Sequence, residues 1–133
     1  MKVLLVCLMI VGLSFNCSTI PVKSISQSDL PDLKGKWEGM RYGTNYIAPI
    51  ELKIIEVLLL PLKAEVIFYQ TGSGTVTSGL TGELKDGKLF LVAWDKDYWL
   101  KLALRTGNGK MRLEGDYQWG GYGGGTVSFS KKM

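Results

Sequence analysis

Three short turn signals in the C-terminal half constrain this chain's fold more than any other feature. Asp86-Gly87 lies in LKDGKL and Asn108-Gly109 in TGNGK. Both dipeptides favour two-residue β-hairpins, because Asn, Asp and Gly tolerate the positive φ angles such turns need. Lys96-Asp97, in WDKDYW, is a weaker third signal. Each turn sets a register. The first pairs Lys85 with Lys88 and Leu84 with Leu89. The second pairs Ala93 with Leu100 and Trp94 with Trp99. The third pairs Leu104 with Leu113. Side chains alternate along a strand, so a turn of the wrong parity would move every apolar residue to the other face. All three turns instead keep one face in phase: Leu80, Gly82, Leu84, Leu89, Leu91, Ala93, Tyr98, Leu100, Leu102, Leu104, Met111, Leu113, Gly115, Tyr117 and Trp119. The opposite face carries Glu83, Lys85, Lys88, Lys101, Arg105, Lys110, Arg112, Glu114 and Asp116. That face is solvated, unlike the lipid-facing wall of a membrane barrel.

Further strands are expected at 35–42, 50–58, 63–69 and 125–131. No window reads as a convincing helix, and the 17 glycines punctuate the strands. Eight short antiparallel strands joined by tight turns suit an all-β, up-and-down meander barrel, in which closure removes the sheet edges. A β-sandwich is the alternative, but its connections would be longer.

Leu33-Lys34-Gly35-Lys36-Trp37, at the head of the first barrel strand, resembles the G-x-W opening of the calycins, the lipocalins and avidins. The resemblance implies that Trp37 plugs the closed end of the barrel, and that Lys131 of the last strand packs over it. It also implies a small-molecule site in the lumen. A T-D-Y segment of the lipocalin kind is absent, and the biotin-binding residues of avidins have no counterparts.

The N-terminus has a different character. Lys2 precedes an apolar run from Val3 to Leu13. Such a run is shorter than the roughly 20 residues a bilayer span requires, and it matches the core of an export signal. Ser14-Phe15-Asn16-Cys17 follows and resembles a bacterial lipoprotein signal with Cys17 as the lipidated residue, although Phe15 and Asn16 depart from the usual lipobox. The expected organisation is a signal peptide over 1–16, a lipidated cysteine and flexible tether over 17–33, and a barrel domain over 34–133. The expected location is the bacterial cell envelope, anchored to a membrane through Cys17. A secreted or periplasmic soluble form is the alternative. With Cys7 inside the signal, no intramolecular disulfide is expected.

The chain has no histidine, which removes Ser-His and Cys-His catalysis and histidine-ligated metals. A net charge of +4, with both signs interspersed, argues against nucleic acid. Asp95, Asp97, Glu114 and Asp116 fall on a turn or the solvated face, beside cations, which does not suit a pair of catalytic carboxylates. The expectation is therefore a noncatalytic binding protein, without cofactor or metal, holding a small apolar ligand in the lumen. Trp37, Tyr98, Leu100, Met111, Tyr117 and Trp119 are the expected lining, and no charge appears on the inward face that the turns define. Val57-Leu58-Leu59-Leu60-Pro61-Leu62 reads equally as a hydrophobic rim or as a barrel cap. Phe90, Val92, Trp94 and Trp99 fall on the outer face and form a candidate surface for a protein partner or a second copy. The alternative function is thus an interaction module, such as an inhibitor or envelope assembly factor. A carbohydrate-binding module using 119–125 is a third reading.

Overall fold

The computed structural model describes residues 20–72, 74–93, 98–119 and 123–131. Cys17, the expected signal peptide, Trp94, the Lys96-Asp97 turn, and Gly120 to Tyr122 lie outside the described residues.

A short strand β1 (Val22–Lys23) leads through a 3-10 turn (Gln27–Asp29) into the one-turn helix α1 (Leu30–Leu33). Eight longer strands follow: β2 (Gly35–Tyr42), β3 (Ile47–Glu56), β4 (Leu62–Thr71), β5 (Gly74–Lys85), β6 (Lys88–Ala93), β7 (Tyr98–Gly107), β8 (Lys110–Trp119) and β9 (Gly124–Lys131). Each pairs antiparallel with its neighbour in sequence, and β9 also pairs with β2. The sheet therefore closes into an eight-stranded up-and-down barrel, which rules out the sandwich.

The turn residues explain the register. Asp86 and Gly87 have φ of 54° and 75°, and Asn108 and Gly109 have 52° and 75°. Positive φ at both central positions is the hairpin geometry these dipeptides favour. Lys85 faces Lys88, and Leu104 faces Leu113, as the turns require. The β6–β7 pairing differs from expectation. Val92, not Trp94, lies opposite Trp99, a shift of two residues. An even shift leaves every side chain on its own face, so the apolar face survives the change.

The interior is apolar along most of its length. Trp37, Leu52, Val66, Leu91, Leu100, Leu102, Leu113 and Phe129 are all buried. Closure needs one very close approach. On β2, Trp37, Gly39 and Arg41 share the inward face, and a Cβ on Gly39 would sit 1.8 Å from the Ser128 carbonyl oxygen of β9. Only glycine lets the two strands come together there.

The segment before β2 is not a free tether over its described part, residues 20–33. β6 begins too late to cover β7 near Leu104 and Arg105, and β1 takes the vacant edge by pairing Val22 with Arg105 and Lys23 with Leu104. Ile25 donates its amide to the Gly87 carbonyl at 2.9 Å. Ile25, Leu30 and Leu33 are buried against one end of the barrel. Asp29 accepts from Lys23 Nζ at 2.7 Å and from the Ser26 amide at 2.9 Å. Those two donors, Lys23 first, hold its carboxyl down to about 2. The sequence of this segment lacks a helical period because it docks through three isolated apolar residues. Beneath it, the Trp37 indole N–H donates to the Leu33 carbonyl at 2.8 Å. Lys131 Nζ donates to the Asp32 carbonyl. This pole is closed, and the antiparallel order places the 57–61, 86–87 and 108–109 connections around it.

Two substitutions check this account. Trp37→Phe strands the buried Leu33 carbonyl and trims the packed ring, so urea unfolding is expected to show a loss of about 1–3 kcal/mol. Gly39→Ala is expected to cost more, about 3 kcal/mol or above, because backbone cannot yield as a side-chain tip can. Gly79→Ala, which meets nothing within 4 Å, serves as the control and should change stability by less than about 0.5 kcal/mol.

Candidate functional site: the barrel mouth

At the pole opposite α1, the lumen opens between the loop from Gly43 to Tyr46 and the bend at Gly72. Strand alternation decides what points inward there. On β2 the series Trp37, Gly39, Arg41 brings an arginine into the barrel. β4 contributes Phe68, β7 contributes Tyr98, and β8 contributes Tyr117 and Trp119.

Three of these rings fill the neck of the opening. Phe68 meets Tyr98 edge-on with centroids 5.2 Å apart, and Trp119 lies 4.4 Å from Phe68 and 5.6 Å from Tyr98. Mixed edge and tilted contacts of this kind suit the quadrupoles of aromatic rings. Above them a cavity of about 580 Å³ opens to solvent, lined by Arg41, Tyr46, Gln70, Thr71, Gly72, Val76 and Trp119.

Arg41 is the most unusual residue in the site. Its side chain is buried, at 4 % exposure, and it is the one buried charged or polar residue among those described. The guanidinium carbon lies 4.9 Å from the Tyr46 ring centre and 5.6 Å from that of Phe68, so two aromatic faces flank it. One terminal nitrogen donates to the Tyr69 carbonyl at 3.1 Å. Nε has no hydrogen-bond partner. No ion pair joins Arg41 to a carboxylate among the described residues. Tyr46 and Tyr117 hydrogen-bond through their hydroxyls, tying the 43–46 loop to β8. Burial, helped by that hydrogen bond, pushes the Tyr117 phenol up to about 12.

The residues expected to line the lumen separate into groups. Tyr98, Tyr117 and Trp119 converge at the mouth. Leu100 is fully buried, opposite Tyr117 and two residues below Tyr98 on β7. Trp37 and Met111 lie towards the closed pole, because β2 begins and β8 begins there. The inward face that the turns define carries no charge, and Arg41 adds one from β2, beyond that face. Neither Arg41 nor Tyr46 was legible from the hairpin registers, which cover only Leu80 to Trp119. Placing Trp37 inside would have found Arg41, since four residues along one strand return to the same face.

The outer candidate surface is half-buried. Phe90 and Trp99 contact each other at 6.0 Å, and Lys85 Nζ lies 5.9 Å over the Phe90 ring. Phe90 and Val92 form one wall of a groove of about 410 Å³, whose other wall includes Leu60 and Pro61. Leu58, Leu59 and Leu60 are 80 %, 69 % and 65 % exposed. Their loop belongs to the closed pole, so it is not a rim of the mouth. Glu114 is held by Arg105 at 2.9 Å and Arg112 at 3.0 Å. The described residues contain no group of three or more potential metal ligands and no helix long and apolar enough to cross a membrane.

Comparison with protein families, curated proteins and solved structures gives no match to this chain.

The Tyr46–Tyr117 contact predicts an alkaline signature. A phenol whose pKa is raised on folding, here from 10.0 to about 12, contributes stability that is whole below pH 10 and is lost as pH rises through about 12. Ultraviolet difference absorbance should show Tyr117 ionising late, and Tyr69, whose phenol burial and Glu51 also push up, joins it above the ordinary range. Tyr46→Phe should move the Tyr117 step part of the way back, since burial is the larger cause and remains.

Proposed function

We propose that this chain is a noncatalytic binding protein that holds a small, mainly apolar molecule at the open mouth of a calycin-like barrel. The observation that carries this reading is the cavity of about 580 Å³ walled by Val76, Tyr46 and Trp119 at one pole of a barrel sealed at the other. Its size falls in the range of small-molecule sites. Burying apolar ligand surface would supply roughly 25 cal/mol per Å². The calycin relationship draws support from the closed pole. Trp37 plugs it, and Lys131 spans from the last strand to the Asp32 carbonyl beside that ring, as the G-x-W resemblance implies.

The envelope location rests on the N-terminal sequence, with Cys17 as lipid attachment point and a membrane as the resulting partner. Loop 57–61 stands at the same pole as β1, so an anchored chain would direct its mouth away from the bilayer. A second reading, as a protein-interaction module, is favoured by the groove beneath Leu60 that exposes part of Phe90 and Val92, with Trp99 beside them. The carbohydrate reading draws less support, because the Trp119 ring is already packed on Phe68 rather than presented as a platform.

A neutral naphthylamine dye tests the leading reading. The full chain should bind it with a saturable fluorescence rise. Val76→Trp, which fills the mouth, should weaken that binding by about tenfold or more, with thermal melting unchanged to within a few degrees. Binding that ignores Val76→Trp, or no binding at all, would remove the mouth as the site.

A further inference from the structure

We infer that the ligand of the barrel mouth is an acidic amphiphile, a carboxylate carried on an apolar body, and that Arg41 is the receptor for its anionic head. This rests on the mouth being the binding site and adds the chemical class of what enters it.

A guanidinium stays charged at any ordinary pH, and taking it out of water is costly unless it is paired and hydrogen-bonded. Here it is 4 % exposed, with no ion-pair partner among the described residues and with Nε unpartnered. One backbone carbonyl, the Tyr117 hydroxyl and two ring faces offset part of that cost. None of them neutralises the charge. Arg41 lines a cavity whose other walls include Val76, Tyr46 and Trp119. An anion entering there would meet a desolvated cation, a pairing shorter and stronger than a neutral hydrogen bond. The planar fork of arginine matches the two oxygens of a carboxylate. The apolar body would then lie against the aromatic neck. A neutral apolar ligand in the same place would leave the charge buried and unpaired, and so would bind less well. Among the described residues the titratable side chains facing Arg41 are Tyr46 and Tyr117, and neither is a carboxylate.

Decanoate and decanol share a tail and differ in the head. Titrated separately into the full chain at neutral pH, with tryptophan fluorescence as readout, decanoate is expected to bind about tenfold tighter or better. Arg41→Met should bring the ratio to about one, and Arg41→Lys should keep part of it. Because the native arginine has no ion-pair partner among the described residues, Arg41→Met is also expected to melt within a few degrees of the native chain. Equal affinities for acid and alcohol in the native chain would overturn the carboxylate inference and leave the mouth standing as an apolar site. Failure of both ligands to bind would overturn the binding reading together with it. An acid preference that survives Arg41→Met would show that another group receives the head. If Arg41→Met does not fold, the native chain still decides. Below about pH 4, where the ligand's carboxyl is protonated, the acid's advantage should vanish. An advantage that persists there would overturn the inference.

Discussion

Hydrogen bonding between the first and last barrel strands is the constraint on which the rest of this structure depends. β2 and β9 pair from Trp37 opposite Lys131 to Tyr42 opposite Thr126. Without that seam the same strands would form an open sheet with two raw edges. The seam has a steric condition, the missing Cβ at Gly39. It also has a chemical consequence. The strand that closes the barrel carries both the plug of one pole, Trp37, and the charge at the other, Arg41. The polarity of the molecule is thus written into one eight-residue strand.

The two poles use the same alternation for opposite ends. At the closed pole, every inward polar group near Trp37 has a partner supplied by the N-terminal segment: the indole N–H reaches Leu33, and Lys131 reaches Asp32. At the open pole the inward polar group is left incompletely paired. Buried polar atoms in folded proteins are nearly always satisfied, so an exception calls for an explanation. Arg41 lines the open cavity, so an anion entering there would offset its charge. The N-terminal segment also explains why β6 can be short. β1 completes the β7 edge that β6 leaves, and Arg105 joins the two by donating to the Ile20 carbonyl at 2.7 Å and to Glu114.

Much of the fold was legible because hairpin turns carry their own geometry. Asp86-Gly87 and Asn108-Gly109 specify register directly, so the inward face from Leu80 to Trp119 follows from local chemistry. The Lys96-Asp97 signal lacked glycine, and the pairing it implied was displaced by two residues. The error cost little because its parity was even. The candidate site was half legible for a related reason. Tyr98, Tyr117 and Trp119 sit on the strands the turns index. Arg41 and Tyr46 sit on β2 and its loop, for which no turn dipeptide set a register.

The sequence by itself determined the all-β class, the meander order and the inward face of the C-terminal strands, since two-residue turns and strand alternation act over a few residues. It also determined the absence of histidine chemistry, which is a matter of composition. Only the tertiary structure decided what covers the pole at Trp37. That depends on where residues 20–33 dock, through Ile25, Leu30 and Leu33, and no local pattern announces such a long-range contact. Barrel closure likewise decided that Arg41 is buried: a charged residue on a lone strand would turn to water, and only the pairing of β2 with both β3 and β9 holds it inside.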